Sequence, residues 1–161
     1  MIALCFFVHA KNLIIRFFFK KIPKKRCFRA FIATTYIKLQ DAYVSERNMV
    51  GTWAQVGYVA PGAKRAGETG STTNFTYVAS DPKSSGALTK GASSLGTTWG
   101  VYNTVALNEC EVQTAGNNAD GGHWSIEIFN TSTGNSVSYN AQITKNSNCD
   151  QLTPSFTLIG K

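Results

Sequence analysis

The side chains able to do chemistry in this 161-residue chain are sparse and lie mostly in its second half. The carboxylates there are Glu109, Glu111, Asp120, Glu127 and Asp150. Glu109 and Glu111 flank Cys110, and on a strand they would point to one face. Two like charges so placed could raise one carboxyl's pKa for acid–base work, although such a pair also suits a solvated surface. His123 stands beside Trp124 with no serine or cysteine nucleophile in a recognisable setting. The run Asn117–Gly122 (NNADGG) has the flavour of a calcium loop but lacks alternating ligands and a closing Glu, so it reads as a turn. No CxxC pair is present, and His9 and His123 are not spaced for zinc. The expectation is a chain with no catalytic residues, no metal and no cofactor.

The four cysteines divide into Cys5 and Cys27 near the start and Cys110 and Cys149 near the end. Cys110 follows one apolar run and Cys149 precedes the last. They are either two buried thiols or a disulfide, and the disulfide is the expectation. It would enclose a loop of about 40 residues, which chain-entropy arithmetic values at about 3–4 kcal/mol, and it requires an oxidising compartment.

Aromatic side chains are the other chemistry on offer. Trp99, Trp124 and Tyr139 fall in alternating segments. Exposed on one sheet face, they would stack on sugar rings as in a carbohydrate-binding module. Trp53 and Tyr58 read instead as core, locking a helix end to a sheet. Asn74-Phe75-Thr76 and Asn130-Thr131-Ser132 match glycosylation sequons, which arise by chance in an Asn/Thr-rich chain.

These residues need elements to position them. Phe28, Phe31, Ile32, Tyr36, Leu39, Tyr43, Val50 and Trp53 recur at threes and fours, which predicts a helix over about 28–57 ending at Gly57 or Pro61-Gly62. Beyond Gly62 the period falls to two. Strands are expected at Asn74–Ala79, Trp99–Leu107, His123–Asn130, Asn135–Thr144 and Ser155–Ile159, the third and fourth forming a hairpin across Thr131–Gly134. Loops at Lys64–Thr73 and Asp81–Thr98 separate them, and no internal repeat is visible. The expected fold class is α+β, a long N-terminal helix packed on an antiparallel sheet of about four or five strands.

Charge is distributed unevenly. Residues 1–40 hold nine basic side chains and no acid, whereas residues 41–161 hold the other seven and all nine acids, a local net charge of −2. A nucleic-acid surface would spread its cations over the folded part, so no nucleic-acid partner is expected. Residues 1–27 read as a basic, partly apolar leader-like tail before a domain at 28–161. Its apolar runs, Ile2–Val8 and Leu13–Phe19, make a marginal membrane segment interrupted by Lys11, Asn12 and Arg16.

A basic leader, a long helix, a sheet on its second half and a disulfide near the end together resemble a type IV pilin or type II secretion pseudopilin. Ala42-Tyr43-Val44-Ser45-Glu46 is similar to the helix-to-loop passage of that family. The resemblance implies a structural filament subunit whose helix stripe assembles with like subunits. It also implies passage through the inner membrane and its assembly machinery, adhesive loops at the bacterial surface, and surface glycans as possible targets. The chain departs from the family's processing motif: Cys27 stands where Gly is expected, and Ile32 where the fifth mature residue is Glu. The expectation is that the first 30 or so residues are not the domain's own start.

Overall fold

The computed structural model describes residues 24–112, 123–144 and 148–161, with side chains from Ile32 onward. Helix α1 spans Lys24–Arg47. Five strands follow: β1 (Gly70–Ser71), β2 (Phe75–Ala79), β3 (Ser94–Asn103), β4 (Trp124–Asn130) and β5 (Val137–Ile143). They form one sheet in the order β1-β2-β3-β4-β5, each antiparallel to its neighbour.

Alternation assigns the sheet's inner face. Trp124, Ile126 and Ile128 are fully buried along β4. Across the ladder they meet Val101, Trp99 and Tyr139, as the pairs Val101↔Trp124, Trp99↔Ile126 and Ile128↔Tyr139 show. Tyr77 on β2 continues this face opposite Val101. The β4–β5 hairpin turns at 131–136, where Thr131 N–H donates to the Ser136 carbonyl and Gly134 N–H to the Thr131 carbonyl. Gly134 has φ +71°, and a Cβ there would sit 2.9 Å from Lys90 N, so the turn requires glycine.

The expected long-helix α+β architecture is corrected. Among the described residues the protein is mostly β, a five-strand sheet with one α-helix whose described side chains run only from Ile32 to Arg47. The helix stops ten residues before Gly57. Asn48 adopts φ +53° and donates its N–H to the Val44 carbonyl, closing the last turn. Met49 then bridges to Ala87 in β fashion, and Val50 N–H donates to the Gly86 carbonyl. Val50 and Trp53 are buried, but in a loop. Their apparent helical spacing comes from a compact turn in which Val56 N–H reaches the Thr52 carbonyl and Tyr58 N–H the Trp53 carbonyl.

The buried stripe of α1 is also rotated from the expected one. Ile32, Ala33, Tyr36, Ile37, Gln40 and Val44 are buried, while Leu39 and Tyr43 are only half-buried. The side chains of Phe28 and Phe31 lie outside the described residues, as does the tail at residues 1–23. Ser155–Ile159 is not a strand; Phe156–Leu158 is a 3₁₀ turn that buries Phe156. β3 begins at Ser94 and ends at Asn103, so the last four residues of the expected strand to Leu107 lie outside it.

Gln40 was not singled out by its sequence position, because a polar residue in a helix reads as solvent-facing. It is fully buried. Its amide donates to the Gly51 carbonyl and to Tyr36 Oη (2.9 Å), and its Oε1 accepts Gly51 N–H at 3.1 Å. Both peptide groups of Gly51 thus depend on one side chain. Gln40→Ala strands them in the core, and the expected loss is about 2–4 kcal/mol, read as a lower midpoint in urea with an unchanged m value.

Candidate functional site

The aromatic residues expected to face a sugar are inside. Trp99 is 1% exposed, Trp124 0% and Tyr139 8%, so no flat face of the three reaches solvent. This corrects the stacking-platform expectation. Each polar tip is used internally. Trp99 Nε1 donates to Tyr58 Oη (2.9 Å) and Trp124 Nε1 to Thr153 Oγ1 (2.6 Å). Tyr139 Oη donates to Asp41 Oδ1 at 2.7 Å. Trp99 also stacks on Phe156, with ring centroids 6.2 Å apart.

The sheet–helix junction is built around Thr98. The β3–β4 register shifts between Thr97 and Trp99, so Thr98 has no partner on β4. Its freed carbonyl accepts Trp53 Nε1 (2.8 Å), and its hydroxyl accepts Tyr36 Oη–H (2.7 Å). Tyr58 packs edge to face against both Tyr36 and Trp53 around this point, its ring centroid 4.8 Å from that of Trp53, and Tyr36 lies tilted against Trp53. Trp53 and Tyr58, each 2% exposed, are core residues that join the loop after α1 to the sheet.

Burial pushes the Tyr36 phenol up to about 12, outweighing its bonds to Thr98 and Gln40. Burial also raises Tyr58 and Tyr139, the latter further by the Asp41 carboxylate it bonds. A phenol whose folded pKa exceeds its unfolded value near 10 keeps its full contribution below pH 10 and loses it as pH rises toward the folded value. Of the six tyrosines, these three are expected to ionise only with unfolding. A spectrophotometric titration should show a steep phenolate step, coincident with loss of near-ultraviolet circular dichroism, above about pH 10.

The second polar cluster surrounds the Cys110–Cys149 disulfide, which the structure contains. Both cysteines are fully buried. Leu107 and Cys110 exchange backbone hydrogen bonds, both at 3.1 Å, and make a tight loop that leaves β3 and presents Cys110 inward. Asn103 at the end of β3 holds this loop: the two hydrogens of its Nδ2 are shared among the carbonyls of Val105 (2.9 Å), Glu111 (2.7 Å) and, at longer range, Cys110 (3.3 Å). His123, at the start of β4, is 6% exposed and lies edge to face with Trp124. Its Nε2 sits 3.0 Å from the Glu111 carbonyl. A carbonyl only accepts, so this assigns the proton to Nε2. Burial lowers the His123 pKa and favours the neutral ring, partly opposed by the Glu111 carbonyl bond.

The carboxylates do not form a site. Glu109, Glu111 and Asp150 are exposed. Glu127 is half-buried and accepts from Ser94 Oγ and Gln142 Nε2 across three strands. Asp120 and the run 117–122 lie outside the described residues. Asn130 of the second sequon is 1% exposed, and its amide donates to Thr89 Oγ1 and Ser93 Oγ. In the folded chain it is a structural clamp between the 80–93 loop and the hairpin, not a glycan acceptor.

Sequence reasoning missed Gln40, Thr98, Asn103 and Asn130. Their common signal is a lone amide or hydroxyl within or beside an apolar run, which is also the signal of an ordinary surface position. No protein family, curated protein or solved structure matches this chain.

The disulfide joins positions 39 residues apart. Replacing both cysteines (Cys110→Ala with Cys149→Ala) is expected to lower stability by about 3–4 kcal/mol. Equilibrium denaturation of the oxidised parent against the double variant measures it.

Proposed function

We propose that this chain is a structural, non-catalytic subunit of an extracytoplasmic surface filament of the type IV pilus or pseudopilus kind. The observation that carries the reading is the joining of helix α1 to a disulfide-closed β body. Ile32, Tyr36, Ile37 and Gln40 are buried against that body, and Tyr36 and Asp41 are hydrogen-bonded to Thr98 and Tyr139 of the sheet. A covalent tie between the β3 exit and the C-terminal segment suits a subunit that meets tension outside the reducing cytosol.

The surface also suits display. The three tryptophans are inside, and the described loops facing solvent are rich in Ser, Thr and Gly. Assembly with other filament subunits would use the helix, and adhesion would use the loops at 64–73 and 81–93. The filament reading does not need the long helix that the fold has corrected; it needs a helix that is one mechanical unit with its head. Among the described residues no helix is long and apolar enough to cross a membrane.

The test is expression of the tagged full chain in a bacterium with a working type IV pilus assembly system. Co-sedimentation of the tag with sheared surface filaments, lost when the assembly ATPase gene is deleted, is the expected outcome. Recovery solely as a soluble monomer outside the filament fraction would overturn the reading. Mass measurement of the recovered protein before and after reduction reads both its mature N-terminus and the disulfide.

A further inference from the structure

The sequence spacing of His123 gives no hint of a metal site, yet the fold brings one of its ring nitrogens together with both disulfide sulfurs. The three ligand atoms lie within 4.8 Å of one another, and all three residues are buried. We propose that reduction of the Cys110–Cys149 bond turns this cluster into a Cys₂His site for a thiophilic divalent cation of the zinc class.

Three features support this. First, the geometry is close to what zinc requires. Zn–S bonds of about 2.3 Å and Zn–N bonds of about 2.0–2.1 Å put tetrahedral ligand atoms roughly 3.3–3.8 Å apart. Once the sulfurs are no longer bonded, rotation about the Cα–Cβ bonds of Cys110 in its loop and Cys149 in the terminal segment lets them separate toward that range. Second, the histidine is pre-oriented. Nε2–H is fixed on the Glu111 carbonyl, which leaves an unprotonated Nδ1, and Nδ1 has no hydrogen-bond partner among the described residues. A backbone carbonyl on the far nitrogen is the usual second partner of a metal-bound imidazole. Third, the cluster is short of polar contacts. Among the described residues the buried side-chain polar atoms without a partner are His123 Nδ1 and Asn103 Oδ1. Both belong to residues that hold the Cys110–Glu111 segment.

Charge favours the occupied form as well. Two thiolates and a neutral imidazole around a dication sum to zero, so the buried complex carries no net charge, whereas two buried thiolates alone would be strongly disfavoured. The chemistry balances in two steps. A dithiol reductant delivers two electrons and two protons to the disulfide and is itself oxidised to a disulfide. The cation then displaces the two thiol protons to solvent as two metal–sulfur bonds form. Three protein ligands leave a fourth position for water or an added ligand. The oxidised and metal-bound forms are mutually exclusive, so zinc holds the two thiols side by side until an oxidant removes it.

The experiment uses the full chain carrying Cys5→Ser and Cys27→Ser, so that Cys110 and Cys149 are its only thiols. After reduction with a phosphine, Co²⁺ is titrated as the spectroscopic probe and Zn²⁺ is added to displace it. The expected result is one equivalent of Co²⁺ with a thiolate charge-transfer band in the near ultraviolet and d–d bands of tetrahedral intensity. Zn²⁺ should abolish both and slow alkylation of the two thiols at least tenfold. His123→Gln, first shown in its oxidised form to have the parent's near-ultraviolet circular dichroism, should bind at least tenfold more weakly. Absence of the charge-transfer band in the parent, or equal affinity in His123→Gln, overturns the proposal; the second result would mean chelation by the dithiol alone. If His123→Gln fails the folding check, His123→Asn replaces it under the same criterion. Should that also fail, perturbation of the His123 ring resonances by Zn²⁺ in the reduced parent decides, and unperturbed resonances overturn the proposal. None of these readouts depends on filament assembly.

Discussion

The structure turns on the β-bulge at Thr98. A regular antiparallel pair would have placed the Thr98 peptide in a ladder with β4. The extra residue between the Thr97↔Glu127 and Trp99↔Ile126 pairs leaves it out, and the Thr98 backbone carbonyl and side-chain hydroxyl both bind other parts of the chain. The carbonyl takes the indole N–H of Trp53, and the hydroxyl takes the phenol of Tyr36. An indole N–H and a phenol buried without partners would each cost on the order of 1–3 kcal/mol, so this one irregularity decides whether helix and loop can dock at all. Trp99, the next residue, completes the junction by donating to Tyr58. Helix, loop and sheet therefore meet on two consecutive residues of a central strand, and hydrogen bonds give the junction the directional character that apolar packing lacks.

What could be read in advance follows from how each signal arises. The β4–β5 hairpin was legible because Trp124, Ile126 and Ile128 alternate with Ser125 and Glu127, and Val137, Tyr139 and Ala141 answer them. Strict alternation of this kind marks a half-buried strand and does not arise on a helix face. The helix end was not legible. Val50 and Trp53 continue the three-and-four rhythm of α1, but the rhythm there belongs to a 52–58 turn whose carbonyls are reused at similar spacing. Asn48 is the true stop, and an Asn in a left-handed conformation leaves no periodic trace. Phe156 misled for a related reason: one large aromatic among Ser, Thr and Leu suits a short strand as well as a 3₁₀ turn, and only its stacking on Trp99 settles which. The inward direction of the tryptophans was unreadable because a strand's period says which residues share a face, never which face meets water.

The disulfide region shows the same divide between what spacing carries and what folding assembles. Its pairing was visible from position along the chain. Its neighbourhood was not, because His123 lies 13 positions after Cys110 and 26 before Cys149, separations that match no zinc motif. The sheet makes the cluster. Asn103 at the end of β3 folds the Cys110 loop back, and the start of β4 places His123 under it. Metal ligands drawn from a strand end, a loop and a terminal segment carry no sequence signature, since nothing along the backbone relates them. Chemistry of this type is found only from the folded chain.

Burial of the aromatics also limits how the molecule can recognise anything. Each of the three tryptophans has its N–H committed to an internal acceptor: Trp53 to Thr98, Trp99 to Tyr58 and Trp124 to Thr153. Exposing any of them would break a buried hydrogen bond and open a cavity of aromatic size, a cost of several kcal/mol that a weak ligand contact could not offset. Among the described residues, the surface left for recognition is the Ser- and Thr-rich loops, the hydrophobic side chains of Val59, Val105, Val112 and Leu158, which are 40–65% exposed, and the two sheet edges.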